Sequence, residues 1–120
     1  MIDFTSTRYS EATIVIQVSG EFTEIDREYF FQCVSDFIES GYSHVVIECH
    51  KLGHINSSTL ASLLKARKQA VKHGGRVFLT RVNSNLAEVL EITKLGRLLS
   101  VLPTTEDAIG SIENKLECVG

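Results

Sequence analysis

The side chains most able to do chemistry crowd into one short stretch, Cys49 to Thr59. Its end reads Ile55-Asn56-Ser57-Ser58-Thr59-Leu60, a cluster of three hydroxyls where a helix is expected to begin. Ser and Asn are preferred there for a structural reason: a side-chain oxygen accepts from the free N–H groups of the first turn. The same geometry suits a modification. A phosphate on Ser57 or Ser58 would meet those N–H groups and the positive end of the helix dipole. It would also add a charge of about −1.5 to −2 to the surface. Cys49, His50 and His54 are metal-capable, but structural zinc takes four ligands and catalytic zinc three protein ligands, and no second pair accompanies them. The expectation is no metal and no cofactor, with Cys49 packed at a strand end and the histidines in the loop. No Gly-rich phosphate loop, Gly-x-Ser-x-Gly elbow or His-Glu-x-x-His occurs, so catalysis has no motif to carry it.

Charge is unevenly distributed. Residues 21–39 hold six acidic side chains and one basic, whereas residues 65–81 hold six basic and none acidic. Lys65, Lys68 and Lys72 share a helix face. Such a face is commonly plain solvated surface; the functional reading is a docking strip for an acidic protein partner. No aromatic residue precedes Phe78 in the basic run, and the net charge is −3, so direct nucleic-acid binding is not expected.

These residues need a scaffold. Alternation at Ile14, Ile16 and Val18 predicts a strand over 14–18, with an earlier partner over 2–8. Phe30, Val34, Phe37 and Ile38 mark one face of a helix over 25–39, stopped by Gly41. The β-branched run Val45-Val46-Ile47 predicts a strand over 44–49 buried on both faces. A helix over about 57–73 would point Leu60, Leu63, Leu64 and Val71 inward, and Gly74-Gly75 would end it. There follow a strand over 76–80, a helix over 84–93 carrying Leu86, Val89 and Leu90, and a strand over 98–102. Thr104 would cap a last helix lined by Ala108, Ile109, Ile112 and Leu116. The alternation predicts one α/β domain over residues 1–120, a four- to five-stranded mixed sheet flanked by about four helices. Functional loops in such sheets gather at the strands' carboxyl ends, here 20–24, 49–58 and 80–84.

With 120 residues, 43% hydrophobic and 22% charged, the chain fits a single globular core. Three cysteines (Cys33, Cys49, Cys118) in no disulfide-framework spacing, no signal-peptide pattern and no apolar span of ~20 residues predict a cytoplasmic protein without a transmembrane segment.

The stretch from Val45 to Leu64 resembles the central motif of STAS domains. Ser19-Gly20-Glu21-Phe22 is similar to the family's first Gly-Glu turn, and Gly74-Gly75 before Val77-Phe78-Leu79 to its helix-to-strand junction. Leu90 to Leu99 and Thr104 to Ile109 are similar to its late helix and final helix start. The resemblance implies an anti-sigma factor antagonist. Such a protein binds a serine-kinase anti-sigma factor, is phosphorylated on a serine at the start of the second helix, and is reset by a phosphatase. It implies Ser57 as acceptor with Ser58 beside it, and Gly20, Glu21, Thr23, Asn56 and Thr59 as surrounding partner contacts. Lys65 and Lys68 join that surface on the charge argument. The family often has aspartate where this chain has Asn56 and Thr23, and glycine where it has Thr59, which makes this site less acidic. Two alternatives stand beside this reading. One is a non-phosphorylated STAS scaffold or transporter-associated subunit; the other is a small serine-dependent α/β enzyme.

Overall fold

The computed structural model describes residues 2–21, 23–53 and 55–118, without the side chains of Ile2, Glu24 and 114–118. In chain order the elements are β1 (Ile2–Arg8), β2 (Thr13–Gly20), α1 (Glu24–Glu39), β3 (His44–Leu52) and α2 (Ser57–Lys72). Then come β4 (Arg76–Thr80), α3 (Ser84–Thr93), α4 (Gly96–Leu99), β5 (Val101–Leu102) and α5 (Thr105–Cys118). The five-stranded sheet runs β1-β2-β3-β4-β5; β1 is antiparallel to β2, and the other neighbours are parallel.

Parallel strands laid down in sequential order need crossovers of one hand, which puts the intervening helices on one face of the sheet. The packing follows. Ile14, Ile16, Val18, Val45, Ile47, Val77 and Leu79 point toward α1, α2, α3 and α4 and form the main core. Val46 and Phe78, one residue out of phase, point the other way onto Ala108 and Ile112 of α5. The unbroken run Val45-Val46-Ile47 is therefore buried on both sides, as a central strand between two helical layers requires.

Two expectations are corrected. Val71 does not face inward; half of it is exposed, and Ala66 and Ala70 are buried in the interface instead, with Ser62 and Thr59. The inward stripe runs through small side chains because α2 lies close against its neighbours, so reading only the large apolar residues misplaces it. Nor does a strand span 98–102. Leu98 and Leu99 belong to the single turn α4, bracketed by left-handed Lys94 and Ser100, and β5 is only two residues long. A short apolar run serves either secondary structure, and here Leu99 is buried from a helix. Leu116 falls outside the described side chains.

Candidate functional site

Because β2, β3 and β4 are parallel, the segments after Gly20, Leu52 and Thr80 emerge at one edge of the sheet. That edge unites two segments the sequence separates by thirty residues. The Gly53 amide donates to the Gly20 carbonyl at 2.8 Å, and a Cβ built on Gly53 would come within 3.1 Å of the Glu21 Cγ. Glu21 itself is exposed.

Thr23 is the N-cap of α1. Its Oγ1 accepts from the Asp26 amide at 3.3 Å, and the Thr23 amide donates to the Asp26 carboxylate at 3.1 Å. Asn56 does the same for α2. Its Oδ1 accepts from the Thr59 amide at 3.0 Å, while the Asn56 amide donates to the Thr59 hydroxyl at 3.4 Å. These reciprocal capping boxes satisfy donors that a helix start otherwise leaves unpaired. They also revise one expectation. Thr59 is fully buried, so it is no contact for a partner; it holds Asn56 in place.

Ser57, the first residue of α2, is exposed. Ser58 is half-buried, and its carbonyl accepts from the Ser62 hydroxyl at 2.8 Å. No acidic side chain lies in the first turn of α2, so the dipole's positive end is uncompensated from its own helix at Ser57.

The lysine strip is separate. Lys65 and Lys68 lie eight and eleven residues beyond Ser57, about 12 and 16 Å along the helix. Both are exposed, but the Lys65 Nζ sits 4.6 Å from the Phe31 ring centroid of α1 and so already has an intramolecular partner. Arg81, from the same basic run, pairs with Glu48 at 3.5 Å and Glu106 at 3.9 Å instead of joining the strip.

Four participants escaped the sequence reading. Asn83 caps α3 by accepting from the Leu86 amide at 2.9 Å, and its Nδ2 donates to the Leu52 carbonyl at 2.8 Å, tying the β4–α3 connection to the loop before Ser57. Ile55 and Ile92 line a shallow groove of about 400 Å³ with Asn85, Glu88 and Val89. Ile92 is 73% exposed; its only sequence signal is that it falls off the Leu86–Leu90 stripe. Ile25, 83% exposed at the start of α1, adds a further apolar side chain at this edge.

Cys49 is buried and its Sγ donates to the Ile47 carbonyl at 3.4 Å. Burial, with a smaller contribution from Glu48, pushes its thiol up to about 12, so it stays protonated and poorly suited to bind metal. β3 runs on to Leu52, so against expectation Cys49 is not at the strand end and His50 lies in the strand instead of the loop. His50 is exposed with its Nε2 3.3 Å from the Gln17 Nε2, and His54 is outside the described residues. Among the described residues no three His, Cys, Asp or Glu side chains gather as a metal site, and no helix is long and apolar enough to cross a membrane.

A mixed sheet with an antiparallel first strand, four helices on one face and one on the other, and a capped serine at the start of α2 together define a STAS-like domain. The family model described as "STAS domain" matches residues 5–108, and the chain belongs to that family. A candidate anti-sigma factor antagonist of Thermotoga neapolitana is 22% identical over 104 residues, covering 85% of this chain and 92% of that protein. The crystal structure of a candidate anti-sigma factor antagonist from Thermotoga maritima superposes with a TM-score of 0.83 at 21% identity, over 92% of this chain and 94% of its own. The anti-sigma factor antagonist SpoIIAA, in its unphosphorylated form, superposes with a TM-score of 0.73 at 20% identity, over 92% and 98% of the two chains. The phosphorylated form of Bacillus SpoIIAA gives 0.72 at 20% identity, over 92% and 99%.

Proposed function

We propose that this chain is a partner-switching regulator of the anti-sigma factor antagonist type, acting in the cytoplasm. It binds a serine-kinase anti-sigma factor through the edge built from Gly20, Glu21, Thr23, Asn56 and Ser57. Phosphorylation of Ser57 ends that complex, and a phosphatase restores it. The observation that carries this reading is the setting of Ser57: exposed, first in α2, and without an acidic neighbour in the first turn. A dianionic phosphate is stabilised there by the helix start, and it makes burial of that surface against a partner costly. Ser58, half-buried, is the less accessible acceptor. The flanking Ile25, Ile55 and Ile92 supply apolar contact area of the kind protein interfaces use. SpoIIAA, a relative in fold, exists in unphosphorylated and phosphorylated forms, which supports the same switch here.

A capture experiment from the host's cytosol tests this reading with wild type, Ser57→Ala and Ser57→Asp as baits. Retention of a kinase-like anti-sigma factor by the first two and its loss by the third is the expected result. Equal capture by all three favours the second reading, a scaffold or transporter-associated subunit that is never phosphorylated. One observation supports that alternative: Asn56 and Thr23 stand where the resembled motif often has aspartate, and both are fully employed as helix caps. The proposed role is binding, not catalysis. Labelling of Ser57 or Ser58 by a serine-reactive probe would reopen the enzyme reading.

A further inference from the structure

At the opposite edge of the sheet from Ser57, a polar cavity of about 180 Å³ lies between the second half of α2, the start of β4 and α4. Its lining includes Arg67, Arg76, Arg97, Ser100, Val71 and Leu98. Three arginines thus line one concavity, and no acidic side chain lines it.

Two of the three are held in place. The Arg67 Nε donates to the Leu98 carbonyl at 2.7 Å, and an Arg76 Nη donates to the Ser100 hydroxyl at 3.1 Å. The Arg76 guanidinium also lies 4.8 Å over the Phe78 ring centroid. Each guanidinium has five N–H donors, so these bonds leave several on each for another acceptor. Among the described residues the ion pairs shown belong to Arg81, and none of the three is in a carboxylate ion pair. Like charges repel, and a chain with a net charge of −3 has no general need to gather them. An anion between them removes that cost.

We propose that this cavity is an anion site that takes a single phosphate group. Guanidinium forks match phosphate oxygens bidentately. The cavity is smaller than the roughly 300–1,000 Å³ of sites that enclose a drug-sized ligand, so the group enters and whatever it is attached to stays outside. The source is free inorganic phosphate or a small phosphomonoester. The site is independent of Ser57, which lies at the other end of α2.

Amide chemical-shift titration at constant ionic strength, with inorganic phosphate and separately with glycerol 3-phosphate, tests this. Saturable shifts are expected at Arg76, Val77 and Leu98 to Ser100. Arg97→Gln should weaken binding roughly ten- to a hundredfold, the size of a lost charge-assisted hydrogen bond. Arg97 is exposed, so the variant should keep its fold, and the same spectra report whether it does. Lys68→Gln removes an equal charge outside the cavity and should leave the affinity nearly unchanged. Equal affinity for the two probes identifies a free-anion site, and tighter glycerol 3-phosphate binding identifies an esterified phosphate; both uphold the proposal. Shifts that never saturate, or equal weakening by both variants, overturn it, since either result reduces the cavity to a diffuse positive field.

Discussion

The Gly53 amide and the Gly20 carbonyl meet at 2.8 Å, so the turn after β2 and the loop before Ser57 are tied into one surface. A partner reading either segment reads both. The bond depends on the path of Gly20, whose φ is +96°, a conformation that costs an L side chain about 1–2 kcal/mol. Gly20→Ala should therefore lower stability by about that amount in urea unfolding. It should also weaken partner capture more than Gly53→Ala does. The latter meets mainly the flexible Glu21 side chain. Equal effects of the two substitutions would dismiss a special role for Gly20.

The caps give a second test. Asn56→Ala should cost about 1 kcal/mol or more by loss of the α2 cap. Asn83 has two documented tasks. Its Oδ1 caps α3 while its Nδ2 serves the Leu52 carbonyl. Asn83→Asp keeps the first bond and loses the second, so it should be destabilising by about 1–3 kcal/mol although a carboxylate still caps the helix. Denaturant midpoints of the two variants against wild type decide it.

Two glycines outside the site should respond in opposite directions. A Cβ on Gly75 would sit 1.7 Å from the Ser43 carbonyl oxygen, so Gly75→Ala forces the α2–β4 junction apart and should cost more than about 2 kcal/mol, the overpacking range. Gly110, inside α5, has nothing within 4 Å of a built Cβ, and Gly110→Ala should stabilise by about 0.5–1 kcal/mol. Thermal unfolding of the pair measures both.

Cys49 imposes a pH dependence. Its thiol is raised by burial from 9.0 to about 12 in the folded protein. The folded state therefore holds this proton where the unfolded chain releases it. The contribution is complete below the unfolded value and is lost as pH rises through 9.0 toward about 12. Wild type should lose more stability than Cys49→Ala over that alkaline window. In native protein near pH 8, Cys49 should resist alkylation until denaturant is added. Parallel pH dependences for the two proteins would refute the assignment.

Local chemistry made much of this legible in advance. Alternation at Ile14, Ile16 and Val18 and the β-branched run at Val45 are signals written within a few residues, and both strands formed, each three residues longer than expected. So did the start of α2 at Ser57, because capping is a bond between near neighbours. The failures occurred where packing decides. Val71 and Ala70 compete for the same helix face, and only the approach of α2 to its neighbours selects the smaller residue. Leu98 and Leu99 suit a strand or a turn of helix equally until Leu99 finds its place in the core.

The sequence by itself therefore determined the family, the layered α/β class and a serine at a helix start. Tertiary structure alone decided that Gly53 bonds to Gly20, that Asn83 reaches Leu52, that Thr59 is buried and that Arg67, Arg76 and Arg97 share a cavity. Those relations join residues roughly ten to thirty positions apart or turn on which helix face packs inward. Periodicity records only which face a residue occupies on its own element; which element that face meets is settled by the whole core closing at once.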